Sequence, residues 1–149
     1  MEYADEYKYE VIHKQLLTDK SKVAEMVKND PDYLVATNNI GQTALEYFAT
    51  LDHKDNVILL GTLGGTVAPS ALRDICTQGS LEMVELLLPF CDKSSIENCI
   101  DMLTTAEIDS DKYQKVAAVF KLQGYQLKAQ KEPFNFEDAW LPSNSKIEW

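Results

Sequence analysis

The fold is decided most clearly by residues 79–88, which read Gly-Ser-Leu-Glu-Met-Val-Glu-Leu-Leu-Leu. Apolar side chains recur there every three to four positions, as on one face of an α-helix, and residues 78–80, Gln-Gly-Ser, form a tight turn before them. A helix of about ten residues is marginal on its own in water. This helix must therefore gain its stability by packing against other helices.

The same helical spacing recurs on both sides of this stretch, in blocks separated by turn residues. Asn29-Asp30-Pro31 is a stop signal, and Gly64-Gly65 and Gly124 end other blocks. Strand signals are nearly absent, so we predict an all-α fold. The eight predicted helices cover residues 9–17, 20–28, 43–51, 55–63, 69 or 70 to 77, 81–90, 94 or 95 to 103, and 112–122.

Short helices in pairs suggest an internal repeat. The first helices of successive pairs align at spacings of 33, 27 and about 28 residues, which place Ile12, Leu45, Leu72 and Ile100 at equivalent positions. The 27-residue spacing is the clearest, because it matches Thr43 with Ser70, Ala44 with Ala71, Leu45 with Leu72, Phe48 with Ile75 and Ala49 with Cys76.

Residues 41–45, Gly-Gln-Thr-Ala-Leu, resemble the ankyrin signature Gly-x-Thr-Pro-Leu-His, and residues 79–88 resemble the second-helix pattern of that family. The resemblance is strong over residues 38–92 and weaker over 9–37 and 93–125. It implies an ankyrin-like helical solenoid of about four helix pairs in residues 1–129, followed by a C-terminal extension, residues 130–149. Family likeness also implies that Thr43 and Ser70 cap their helices and that Gly79 makes a left-handed turn.

This chain departs from the ankyrin pattern in several places. The signature's Pro is replaced by Ala44 and Ala71, and its His by Glu46 and Arg73. The 27- and 28-residue spacings favour short turns over long β-hairpins between pairs. A helical solenoid of another kind is the alternative architecture.

Composition restricts the classes of partner. The chain has 149 residues, 45% hydrophobic, and a net charge of −10. Residues 31–92 carry −6 of that charge, from eight acids against Lys54 and Arg73. An acidic surface repels phosphate backbones and anionic lipids and attracts basic proteins. We therefore expect no nucleic acid and no membrane, but another protein with a basic patch.

Neither the cysteines nor the histidines form a recognisable chemical motif. Cys76, Cys91 and Cys99 lack CxxC spacing, which favours reduced thiols, and with no signal peptide or membrane-spanning stretch we expect a cytoplasmic protein. His13 and His53 have no companion ligands, and we interpret His13 as a cap and His53 as a loop residue. We expect no catalytic residue, no metal and no cofactor.

The resemblance implies a partner-binding surface made of the turn tips and the exposed side of the first helices, on a concave acidic face. Ile40 and Val67 are expected as exposed apolar residues there, which would mark an interface. The residues predicted to bind are Asn39, Ile40, Gln42, Glu46, Thr50, Thr66, Val67, Pro69, Arg73, Asp74 and Thr77. In the tail, Phe134, Phe136 and Trp140 either cap the last repeat or bind a partner.

The sequence favours a non-catalytic protein-binding module that inhibits or regulates its partner, as an immunity protein does. A pathogen effector or adaptor that mimics host ankyrin proteins is an alternative of the same class. A cryptic enzyme, with cysteines or carboxylates brought together by folding, and an oligomeric structural protein are alternatives of other classes.

Overall fold

The computed structural model describes residues 2–131, with side chains from Tyr7 onward. Over that range the chain is helical and forms no β-strand, which confirms the predicted all-α fold class. Short 3-10 turns at Lys20–Lys22 and Leu88–Phe90 adjoin the second and seventh helices. The helices are α1 (Glu2–Thr18), α2 (Val23–Asn29), α3 (Asp32–Val35), α4 (Ala44–Thr50), α5 (Lys54–Thr62), α6 (Pro69–Gln78), α7 (Leu81–Leu87), α8 (Lys93–Leu103) and α9 (Ser110–Leu122).

Helix α3 is an addition to the eight predicted helices. Pro31 is predicted to be a stop, but it lies at the N-terminus of α3 with a helical φ of −61°. The Asp30 carboxylate accepts the backbone N–H of Asp32 at 3.1 Å. Proline has no N–H to satisfy and its φ already suits a helix, so it starts one helix as readily as it ends another.

Side-chain caps fix the starts of most helices. Thr43 caps α4 as predicted, in a capping box with Glu46. Ser70 does not cap α6, which starts at Pro69 with Ala68 at the N-cap. The first turn of α6 needs one hydrogen bond fewer because Pro69 lacks an N–H. The caps of α7, α8 and α9 are Ser80, Asp92 and Asp109.

The helices from α4 onward form two rows. In one row α4 contacts α6 and α6 contacts α8; in the other α5 contacts α7 and α7 contacts α9. The pairs α4–α5 and α6–α7 join the rows. Three of the five pairs matched at 27 residues face the same core, since both members of each are buried: Leu45 and Leu72, Phe48 and Ile75, Ala49 and Cys76.

The turns inside the pairs differ from the prediction at Gly79. Its φ is −95°, so the expected left-handed turn is wrong there. Glycine is required for space instead, because a Cβ would lie 2.9 Å from the carbonyl oxygen of Ile75. The left-handed residue is Asp52, at the equivalent position of the preceding pair, with φ 59°. Its carboxylate accepts the Ser80 hydroxyl at 2.8 Å and so links the two turns.

The last described segment folds back onto the end of the stack. The Gln130 side chain donates to the carbonyl oxygens of Leu103 and Ala106, both at 2.9 Å. The Lys131 N–H donates to the Thr104 carbonyl oxygen at 2.8 Å. Gln130 and Lys131, assigned by sequence to the C-terminal extension, thus hydrogen-bond to the helical part.

Candidate partner-binding surface

The most exposed apolar residue on the predicted surface lies at the tip of a hairpin-shaped loop, residues 37–43, which contains no β-strand and is called the hairpin below. Thr37 and Thr43 form its single bridge, and the Asn38 N–H donates to the Gln42 carbonyl oxygen at 2.8 Å. This hairpin lies within the 33-residue interval between Ile12 and Leu45, which is the longest of the repeat spacings. The expectation of short turns concerns the shorter spacings, and it agrees with the six-residue connection 63–68 between α5 and α6.

The Asn38 side chain holds the tip in one conformation. Its Oδ1 accepts the N–H of Ile40 at 3.1 Å and that of Gln42 at 2.9 Å. Gly41 has a φ of 86°, a left-handed conformation that glycine adopts at little cost. Ile40 is therefore held outward, with 72% of its surface exposed. Burying this exposed isoleucine side chain against a partner would be favourable, because it removes apolar surface from water.

Glu46 does not belong to the exposed surface, which corrects the prediction. Only 6% of its surface is exposed. One carboxylate oxygen accepts the Thr43 N–H at 3.0 Å, and the other accepts the Ala68 N–H at 2.8 Å. The carboxylate ties the start of α4 to the connection leading into α6. It is buried because these two backbone groups would otherwise lack partners.

Val67 is likewise buried, with 2% of its surface exposed, so the prediction of an exposed apolar tip there is wrong. The connection from α5 to α6 is too short to protrude, and its side chains alternate between solvent and core. Thr66 and Ala68 face solvent while Val67 and Gly65 face inward. A Cβ on Gly65 would lie 2.9 Å from Leu45 Cδ1, which shows how closely this connection passes over α4.

The remaining predicted positions are accessible but do not form one pocket. Arg73, Asp74 and Thr77 line a shallow cavity of about 380 Å³ with residues of α8 and the turn after it. Asn39 lines another cavity of about 380 Å³ at the other end of the surface, against α1. Asn39, Thr50 and Thr66 are exposed, and Gln42 and Pro69 are half-buried. Phe134, Phe136 and Trp140 lie outside the described residues.

Charge is distributed differently from the prediction. Residues 37–50 and 64–78 contain only three charged residues: Glu46 is buried, and Arg73 pairs with Asp74 at 3.0 Å. The exposed acids of the central region lie mainly on the α5–α7 side, at Asp52, Asp55, Glu82 and Glu85. The predicted acidic binding face is therefore nearly neutral where the turn tips lie.

Neither histidine has the role expected from the sequence. His53 is the cap, since its Nδ1 accepts the Asn56 N–H at the start of α5, at 3.4 Å. His13 lies among aromatic rings, stacked on Phe48 with the ring centroids 5.3 Å apart and within 3.3 Å of the Tyr9 hydroxyl. Helix capping therefore explains His53, and packing among aromatic rings explains His13.

All three cysteines are free thiols; Cys76 and Cys99 are buried and Cys91 is half-buried. A hydrogen bond with Cys99, together with burial, raises the pKa of the Cys76 thiol far above its usual range. Burial raises the pKa of Cys91 to about 12. Thiols that stay protonated at neutral pH are poor nucleophiles. No group of three His, Cys, Asp or Glu side chains suited to a metal ion occurs among the residues whose placement is described.

One part of the surface was missed by sequence reasoning. Glu10 on α1 lines a cavity together with Asn38 and Asn39 of the hairpin, although it lies far from them along the chain. Tyr7 and Lys14 line a second cavity on α1, which shares Glu10 with the first. The predicted helix 9–17 includes Glu10 and Lys14 but not Tyr7, and nothing local indicates that α1 meets the hairpin.

Comparison of the chain with protein-family models, with curated proteins and with solved structures finds no match. No described helix combines the length and the apolar character needed to cross a membrane.

Proposed function

We propose that this protein is a non-catalytic protein-binding module, built as an ankyrin-like stack of helix pairs, that recognises a partner protein through the hairpin and the adjoining first helices. The observation that carries the proposal is Ile40, which is ordered by the Asn38 hydrogen bonds and yet 72% exposed. The two rows of helices and the capping box at Thr43, in register with the ankyrin signature, support the architecture.

The composition of the surface supports recognition by shape and hydrogen bonds. Asn39, Gln42, Thr50 and Thr66 offer uncharged donors and acceptors around Ile40. Such groups make binding depend weakly on salt, unlike the charge attraction expected from the acidic sequence. Inhibition or regulation of the partner is the role we propose first, and the effector or adaptor role differs from it only in the partner's identity. Three unpaired thiols support a reducing compartment.

The test is affinity capture from a lysate of the source cells with three baits: wild type, Ile40→Ser and Ile58→Ser. Ile58 is an exposed isoleucine on α5, so it controls for general loss of apolar surface. Burying an isoleucine contributes about 1.5–3 kcal/mol, so Ile40→Ser should weaken a true partner about tenfold or more. The proposal predicts proteins lost with Ile40→Ser and kept with Ile58→Ser. Identical capture by all three baits would refute it.

A further inference from the structure

The outer side of α9 carries an apolar patch that the described residues leave in water. Leu122 is 77% exposed, more than any other large apolar side chain in the described part of the chain, and Ala118, one turn earlier, is also exposed. Both lie opposite Val116 and Phe120, which are fully buried. Helix α9 contacts α6 and α7 with its inner side and is the last helix described. A further helix pair would cover this outer side in a longer stack, so here the patch is open to another segment.

The rest of the chain starts within reach of this patch. Lys131 is fixed to the end of the stack, because its N–H donates to the Thr104 carbonyl oxygen at 2.8 Å. Leu122 lies nine positions before Lys131 in the sequence, and Trp140 lies nine positions after it. Nine residues span at most about 30 Å, and the left-handed turn at Gly124 makes the actual distance from Lys131 to Leu122 shorter. A chain that turns back at Lys131 can therefore bring Trp140 onto Leu122.

Charge favours the same occupant. Residues 110–131 contain five lysines and a single acid, Asp111, although the whole chain carries a net charge of −10. Two of these lysines, Lys115 and Lys121, are exposed on the outer side of α9, and Lys115 pairs with Asp111 at 3.1 Å. Residues 132–149 contain four acids and one lysine. Attraction between exposed charges is modest and screened by salt, so it orients the segment while apolar contact holds it.

We propose that residues 132–149 of this same chain dock on the outer side of α9, with the Trp140 ring against Leu122. An indole ring is large and apolar enough to cover both Leu122 and Ala118. The two acids that shortly precede Trp140 in the sequence suit the exposed lysines of α9. The segment thus closes the stack and leaves the hairpin to the partner. This inference goes beyond the proposed function and does not depend on it.

Tryptophan fluorescence tests the inference in the full chain, because Trp140 and Trp149 are its only tryptophans. In a parent protein that carries Trp149→Phe, all tryptophan emission comes from Trp140. We expect Trp140 to emit at shorter wavelength than N-acetyltryptophanamide in water, and to be quenched less by acrylamide, because docking removes its ring from solvent. A dilution series separates docking within one chain, which does not depend on concentration, from docking between two copies.

Two substitutions in the parent should release Trp140. Leu122→Ser should lower the ratio of docked to undocked molecules about tenfold or more, and Ala118→Glu should act in the same direction by placing a charge under the ring. Leu17→Ser is the matched control, because Leu17 is a 60% exposed leucine on α1 and its replacement should change neither emission nor quenching. Circular dichroism checks that each variant is folded.

Three results would overturn the inference. The first is emission from the parent like that of N-acetyltryptophanamide, which would leave the patch to a partner protein. The second is emission that stays unchanged in both Leu122→Ser and Ala118→Glu. The third is emission that moves to longer wavelength on dilution, which would assign the patch to a second copy of the chain.

Discussion

Asn56 is the one buried side chain whose amide oxygen and nitrogen both lack a hydrogen-bond partner among the described residues. It lies in α5 with none of its surface exposed. The equivalent residue 27 positions later is Met83, also fully buried. An unpaired buried polar group costs about 1–3 kcal/mol. An apolar side chain of the same shape should therefore stabilise the fold.

Asn56→Leu is the sharpest form of this prediction, since leucine has the same branching and the same number of side-chain heavy atoms as asparagine. We expect a gain of about 1–2 kcal/mol, allowing for some repacking, and a rise in Tm of about 2–4 °C per kcal/mol for a chain of this length. Thermal and urea unfolding followed by far-ultraviolet circular dichroism measure both quantities.

Asn98→Leu is the matched control, because Asn98 is exposed on α8 and its replacement should change stability by less than about 0.5 kcal/mol. The reasoning would be refuted if Asn56→Leu lost 1 kcal/mol or more, as a buried amide with satisfied hydrogen bonds would.

Three further predictions concern the contacts that shape the surface and its supports. Glu46→Ala should lower the free energy of unfolding in urea by about 2–4 kcal/mol, because it leaves the Thr43 and Ala68 N–H groups without their acceptor. A loss below about 0.5 kcal/mol would show that these two hydrogen bonds do not stabilise the fold. Gly79→Ala should cost at least about 1 kcal/mol through its clash with Ile75, and Gly79→Asn should not recover the loss, whereas recovery by asparagine would indicate a left-handed turn. Hydrogen bonds from Ser95 and Ser94 lower the pKa of Asp92 below its usual 3.8, so its contribution to the free energy of unfolding is present above pH 3.8 and lost as the pH falls through the lowered pKa. Asp92→Asn should flatten the dependence of the free energy of unfolding on pH in that acid range. An unchanged pH dependence would count against Asp92 as the cap of α8.

Local pattern was enough to predict the helices. Apolar spacing places each of the eight helices, and turn residues mark where they end, because both signals are read from neighbours within about four residues. Three of the pairs matched at 27 residues are buried in both α4 and α6, whereas the match gave no sign that Glu46 is buried. Helix α3 was missed because four residues do not hold a periodic pattern.

The binding surface was only partly predictable, because its decisive contacts join residues far apart in the chain. Helical position places Glu46 on the outer side of α4, but its hydrogen bond to Ala68, 22 residues later, draws it inside. Val67 is turned inward by the shortness of its connection. The approach of α1 to the hairpin is a tertiary contact that no local pattern encodes.

The most direct test of the central claim is a hydrogen-exchange footprint of the complex with the captured partner. We expect protection of backbone amides in residues 37–43, with further protection along α6, and unchanged exchange in α5 and α7. Measurement at low and moderate salt should give the same footprint, since the turn surface is nearly neutral. Protection confined to α5 and α7, fading as salt rises, would contradict the account and assign binding to the acids on the opposite row.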